Sequence, residues 1–438
     1  MSGDPGALSS LPDPYPIAPV VGLLDATVTV PGSKSITNRA LVCAALAEGT
    51  SVLQGALFAD DTDAMIGVLS GAGIDVSPDP GAERIEVVGC AGRLPATDQE
   101  LDVRRSGTTA RFALPMLALG QGRYRVTAHP QMQVRPMDAT LDAIVELGAG
   151  VEPLAGAGSL PVVVSAGGLR SGVVRVPGHG SSQFLSGLLL VAPCLPDGLV
   201  VEVSTPLVSR PYVEVTIAVM EAFGASVDRR GATTFAVAPG GYRARTYSIE
   251  ADASAASYPL AAAAVCGGRV RVEGLGDAAL QGDAAFADIL AAMGATVHRD
   301  PTGTEVRAQR GALRGGSFDF TDISDTAQTL AVVAPFAADP VTIAGIGFIR
   351  AKETDRMAAV ATELARCGID VRVDPDGWTI RPGAPVPATV ETYDDHRMAM
   401  SFALLGLVTP GIAIAGPACV AKTFPAYWSL LDALRRSA

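Results

Sequence analysis

The chain has 438 residues, 48% of them apolar and 18% charged, enough to bury two or three cores of ordinary size. Its formal net charge of −12 excludes a general affinity for nucleic acid, which needs a basic field, so an anionic ligand has to be held by local groups of Lys and Arg. Six cysteines stand singly without a C-x-x-C pair, and the four histidines show no H-x-x-x-H spacing. That points away from a disulfide or zinc framework and towards reduced thiols in a cytoplasmic protein without a bound metal.

In chain order, the opening MSGDPGALSSLPDPYP is acidic and Pro-rich, unlike a secretory leader, and YPIAPVVGLLDATVTV (15–30) has strand composition. The next stretch, PGSKSITNRA (31–40), invites comparison with the phosphate-cradling G-x-x-x-x-G-K-[ST] loop. Ser33, however, precedes Lys34, and Val28 stands where the earlier glycine belongs, so that fingerprint fails. A helix opening at Ser33-Lys34 then ends at a turn and passes into a short strand, a second helix and more strands. No apolar run reaches the roughly 18 residues of a membrane span; SFALLGLVTPGIAIAG (401–416) is broken by Pro410.

The same succession recurs. Runs ending in apolar-Gly-x-x-Val close at AGIDV, LGAGV, FGASV, MGATV and CGIDV. Their glycines are Gly73, Gly148, Gly224, Gly294 and Gly368, spaced 75, 76, 70 and 74 residues apart. Glycine ending a helix in the left-handed conformation, followed by a β-branched strand, accounts for each copy. Six first helices start near Ser35, Gly107, Ser182, Ala253, Asp325 and His396. The sixth unit ends on its second helix, YWSLLDALRRSA, with no strand after it, so the N-terminal segment is expected to complete the sheet of that last unit.

Unusual polar residues sit at the first-helix starts (SKSITNR, SGTTAR, GSSQFL, DASAAS, SDTAQT, DDHRMA) and in the loops before the second helices, among them FADDTDA, QMQVRPM, PLVSRPY, RAKETDR and VAKTFPA. Helix N-termini attract anions, but basic side chains contribute more. Lys34, Arg39, Arg111, Arg135, Arg210, Lys352, Arg356, Arg397 and Lys422 therefore point to one or two small polyanions as ligands. Taken singly, these stretches are ordinary: SSQ reads as a cap, KETDR as a helix turn with local ion pairing, and DDHRMAM as a cap followed by core methionines.

With these motifs assembled, VPGSKSITNRAL, SSQFL, SRPY, KETDR, DDHRMAM and AKTFP together make the chain resemble the 5-enolpyruvylshikimate-3-phosphate synthase family, from about residue 15 to about 430. The resemblance implies an α/β fold of two domains, each of three β-α-β-α-β-β units with helices inside and sheets outside, an inside-out α/β barrel. One domain comprises 31–249; the other combines 1–30 with 250–438, and the site between them closes on substrate. It further implies transfer of the enolpyruvyl group of phosphoenolpyruvate to the 5-hydroxyl of shikimate 3-phosphate with release of phosphate, a step of aromatic amino acid biosynthesis. A monomer is expected, with no cofactor and with small-molecule partners only.

Residue by residue, the resemblance assigns Lys34, Asp325 and Glu353 to catalysis. Lys34, Ser35, Arg39, Ser181, Ser182, Gln183, Ser209, Tyr212, Asp325 and Lys352 fall to shikimate 3-phosphate. Lys34, Gly107, Arg135, Gln183, Arg356, Arg397 and Lys422 fall to phosphoenolpyruvate. Two stretches depart from the family pattern. Arg105-Ser106 stand before Gly107 and Phe112 after Arg111, where relatives carry Gly-Asn-Ala and proline, and Phe348 occupies the position of an asparagine. The sister family acting on UDP-N-acetylglucosamine carries a reactive cysteine five residues before the arginine matching Arg135; Pro130 stands there. Enolpyruvyl transfer to a secondary-metabolism alcohol is a further alternative, and so is a non-catalytic anion-binding repeat protein, against which Lys34, Asp325 and Glu353 together argue.

Overall fold

The computed structural model describes residues 8, 10–95 and 98–438. The chain divides into two compact bodies, one spanning Gly32–Ile249 and the other combining the segment up to Pro31 with Glu250–Ala438. Each contains three of the repeated units, and each has its own apolar core.

The first helices of the units are Lys34–Leu46, Gly107–Ala118, Ser182–Val191, Ala253–Cys266, Ala327–Val333 and His396–Gly406, within two residues of the expected starts. They lack a solvent face. Every residue of Gly107–Ala118, Ala253–Cys266 and His396–Gly406 is buried, which their largely apolar or small composition permits, with Arg111, His396 and Arg397 buried among them. Within each body the three first helices touch one another, so they form its interior. The second helices, such as Arg356–Arg366 and Tyr427–Arg436, are amphipathic and bury a single face. Gly73, Gly148, Gly224, Gly294 and Gly368 end their helices at φ between 78° and 109°, the left-handed region where a side chain would be strained.

Among the described residues the strands form six separate sheets, with one plan. The strand entering a unit pairs in parallel with the strand that follows its first helix, which then accepts an antiparallel partner. In the second unit Gln99–Asp102 lies parallel to Gln121–Thr127, which pairs antiparallel with Val162–Gly167. Tyr242–Arg243 and Thr246–Ser248 return to lie parallel to Ala47–Gln54 and complete the sheet of the first unit.

The N-terminal segment is shared between two sheets, which corrects the expectation that all of it serves the last unit. Tyr15–Pro16 pairs antiparallel with Ile412–Ile414 in the sixth sheet. Leu24–Thr29 runs parallel to Gly268–Glu273 in the fourth, with Asp25 opposite Arg269. The physical reason is the plan itself: the fourth unit needs an entering parallel strand, and the sixth needs an antiparallel one. Among the described residues no helix is long and apolar enough to cross a membrane.

Candidate active site

In the 32–249 body, Ser33 caps the first helix by accepting from the Ile36 amide, which sets Lys34 and Ser35 at the helix start. The Lys34 ammonium lies 3.4 Å from Asp61, a carboxylate with almost no exposure that opens the next helix. One turn on, Arg39 is buried. Its Nε donates to Thr216 Oγ1 at 2.7 Å, its two terminal nitrogens to the Ser35 and Tyr212 carbonyls at 2.8 and 3.1 Å, and the Phe112 ring centroid lies 5.1 Å from Cζ. Burial pulls the Arg39 pKa down to about 10, and it remains a cation at neutral pH.

A second cluster surrounds the Gly107 helix start, capped by Ser106. Arg111 donates to Gln183 Oε1 and to the Pro136 carbonyl, both at 2.9 Å, and sits over the Phe184 ring. Gln183 in turn donates to Thr108 Oγ1 at 3.0 Å. A Cβ at position 107 would stand 2.8 Å from an Arg135 terminal nitrogen and 3.0 Å from one of Arg111, so glycine is what lets two guanidiniums approach this helix end. Ser181, Ser182 and Ser209 are buried. Ser181 caps its helix by accepting from the Gln183 amide, and Ser209 holds φ 53°, a conformation that L-residues adopt at a cost and that is frequent at binding sites.

In the other body a dense ionic network joins residues of the fifth and sixth units. Arg356, almost wholly buried, donates Nε and one terminal nitrogen to the two oxygens of Asp395 at 2.8 and 3.2 Å. It also donates to Glu353 at 2.8 Å and to Asp325 at 3.4 Å. Arg397 donates to the Asp325 carboxylate at 2.7 Å and to its carbonyl at 3.0 Å, and Lys422 lies 3.0 Å from Glu353. Asp395 is fully buried and caps the His396 helix through the Arg397 amide at 2.8 Å. Burial alone would lower the Arg356 pKa, but Asp395, Glu353 and Asp325 more than offset it and hold the guanidinium firmly charged. Close by, burial pushes the Tyr258 phenol up to about 12, against the opposing influence of Arg397 and Arg356. Lys352 places its ammonium 5.6 Å from the Phe348 ring centroid.

The structure thus gathers part of the expected set of each body into clusters: Ser35, Arg39 and Tyr212; Gly107, Arg135 and Gln183; and Asp325, Glu353, Arg356, Arg397 and Lys422. Arg210 stands apart from the cation set, half exposed, 3.6 Å from Glu214 one helical turn away. Three residues not singled out from the sequence, Asp61, Thr216 and Asp395, hold the others in place, as does Arg111 of the cation set. Asp61 and Asp395 stand in FADDTDA and DDHRMA, strings already marked by their position in the repeat, and a search for buried counter-ions to the cations would have found them. Thr216 carries no such signal, since a threonine inside a helix is commonplace. Among the described residues no group of three or more His, Cys, Asp and Glu side chains is placed to hold a metal ion.

Comparison with known proteins places the chain in a family. The model of EPSP synthase (3-phosphoshikimate 1-carboxyvinyltransferase) matches residues 20–431. The chain belongs to that family. As a member of the EPSP synthase family it is 44% identical, over 407 residues, to the 3-phosphoshikimate 1-carboxyvinyltransferase of Nostoc punctiforme, covering 93% of this chain and 95% of that protein. Among solved structures, EPSP synthase from Acinetobacter baumannii superposes with a TM-score of 0.81 at 26% identity, covering 96% of this chain and 97% of the other. The enolpyruvyl transferase NikO from Streptomyces tendae shares the fold alone, with a TM-score of 0.73 at 20% identity and coverage of 95% and 96%.

Proposed function

We propose that this chain transfers the carboxyvinyl group of phosphoenolpyruvate to the 5-hydroxyl of shikimate 3-phosphate, and that the residue clusters described above hold those two substrates. The reaction is an addition followed by an elimination. The methylene carbon of phosphoenolpyruvate takes a proton while the hydroxyl oxygen bonds to the neighbouring carbon. The tetrahedral adduct then loses a methyl proton and phosphate. Two phosphates and two carboxylates have to be neutralised, and a proton has to be delivered and removed at one carbon.

The observation that carries the reading is the convergence of Arg356 and Arg397 on a single carboxylate, that of Asp325, at 3.4 and 2.7 Å. Two guanidiniums aimed at one carboxylate have the donor geometry that the carboxylate of phosphoenolpyruvate requires. Glu353, between Arg356 and Lys422, is the group for proton transfer at the methylene carbon, and Asp325 is the base for the attacking hydroxyl. Lys34, Gly107, Arg135, Gln183 and Lys422 take the phosphate of phosphoenolpyruvate, with Lys34 assisting its departure. Ser35 and Arg39 take the shikimate carboxylate, and Ser181, Ser182, Gln183, Ser209, Tyr212 and Lys352 take the remainder of that substrate. The chain acts as a monomer in the cytoplasm and needs no cofactor.

The test is phosphate release on mixing the chain with phosphoenolpyruvate and shikimate 3-phosphate without added metal, beside the same mixture with UDP-N-acetylglucosamine as acceptor. Release with shikimate 3-phosphate is expected; release with the nucleotide sugar alone overturns the assignment.

A further inference from the structure

Two aromatic rings lie against cations of the proposed shikimate 3-phosphate set. The Lys352 ammonium is 5.6 Å from the centroid of Phe348, which lies on the Gly347–Ala351 turn that Lys352 terminates. The Arg39 guanidinium carbon is 5.1 Å from the centroid of Phe112, a fully buried ring in the Gly107–Ala118 helix. Both distances lie within the roughly 6 Å over which the negative face of an aromatic ring attracts a cation.

We infer that Phe348 and Phe112 are positioning residues for shikimate 3-phosphate, each holding on its ring face a cation that meets this substrate. The inference rests on the substrate assignment made above. A phenyl ring has no hydrogen-bond donor for a phosphate or carboxylate, so its effect has to pass through the cation above it. For Lys352 the ring restrains a flexible four-carbon stem and favours the charged head without neutralising it. A carboxylate in the place of Phe348 would attract the ammonium more strongly but would compete with the substrate for it. Arg39 is a different case, because hydrogen bonds to Thr216, Ser35 and Tyr212 fix it as well. Phe112 closes the face of the guanidinium that those in-plane bonds cannot reach. The effect is therefore read most directly at Phe348, which is partly exposed.

The experiment is steady-state kinetics of the full chain with each substrate varied in turn. Phe348→Leu keeps an apolar side chain but removes the π face. It should raise KM for shikimate 3-phosphate about two- to five-fold while leaving kcat and KM for phosphoenolpyruvate at their original values. Phe348→Tyr keeps the ring and should behave like the unaltered chain. The inference fails at this position if Leu matches the unaltered chain, if Tyr loses as much as Leu, or if KM for phosphoenolpyruvate rises equally. Phe112→Leu, checked for folding by thermal unfolding, should shift KM for shikimate 3-phosphate in the same direction; an unchanged value in a folded variant removes the Phe112 half. Failure of the underlying substrate assignment is distinguishable, since the unaltered chain would then release no phosphate with shikimate 3-phosphate at all.

Discussion

Asp395 should be the most consequential residue of the ionic network that touches neither proposed substrate. It is fully buried, and its two oxygens receive three donors: Nε and a terminal nitrogen of Arg356 at 2.8 and 3.2 Å and the Arg397 amide at 2.8 Å. Asp395→Asn keeps the shape but turns one acceptor into a donor, so at least one N–H must face another N–H and the charge beneath Arg356 disappears. Removing one partner of a buried ion pair costs about 3–5 kcal/mol. Arg356 retains Glu353 at 2.8 Å and Asp325 at 3.4 Å, so about 2–3 kcal/mol is expected here. Both tryptophans of the chain, Trp378 and Trp428, are buried in the same body as Asp395, so urea unfolding followed by tryptophan fluorescence reports on that body alone. In kinetics, a loosened Arg356 should raise KM for phosphoenolpyruvate by about tenfold, equivalent to 1.4 kcal/mol, and KM for shikimate 3-phosphate by less. An Asn variant with the original unfolding midpoint and the original KM for phosphoenolpyruvate would refute the reasoning.

Gly107→Ala would place a methyl group 2.8 Å from an Arg135 nitrogen, displacing the guanidinium and weakening a charge-assisted contact, so KM for phosphoenolpyruvate should rise about tenfold or more with the fold intact; an unchanged KM would show that the helix start is not a phosphate site. Glu353→Gln preserves the side-chain shape between Arg356 and Lys422 and should lower kcat by roughly 10²–10⁴ with little change in either KM; undiminished turnover in a phosphate-release assay would exclude Glu353 from proton transfer. The Asp300 carboxyl is held well below its usual range by hydrogen bonds from the Arg271 side chain and from Thr302. The unfolded chain therefore takes up this proton first as pH falls. The stabilisation is complete above the ordinary carboxyl range, near pH 4, and is lost as pH falls towards the depressed folded value. Asp300→Asn should accordingly be less stable at pH 7, with the gap in urea midpoint narrowing below about pH 4; a gap independent of pH would rule this out.

The features legible in the sequence were those that one residue type carries locally. A serine or aspartate cap, a largely apolar first helix and a glycine at its partner's end mark the first four units without help from the rest of the chain, and the last two units show part of this pattern. Lys34, Arg356 and Arg397 are legible for the same reason, being cations at helix starts where a solvated charge would be unremarkable once but not repeatedly. The rest depended on contacts distant in sequence. Nothing in DATVTV says that it will lie beside Gly268–Glu273 and not in the sixth sheet, because strand composition carries no address. Thr216 meets Arg39 across 177 residues. Phe112 and Phe348 could be flagged as departures from the family pattern, but what each ring touches required the fold. Arg210 had the right position in the repeat, yet its side chain found Glu214 on its own helix.

The pairing of Leu24–Thr29 with Gly268–Glu273 has a consequence for biosynthesis. Gly32–Ile249 contains all the strands of its own three sheets, so it can close its core once that segment has left the ribosome. The other body cannot: Asp25 has to wait for Arg269, 244 positions later, while the whole intervening body is made and folded. The early strand therefore travels unpaired through much of translation, and the polar residues Asp25, Thr27 and Thr29 that alternate with its apolar ones have to keep it from adhering to other nascent chains in the meantime.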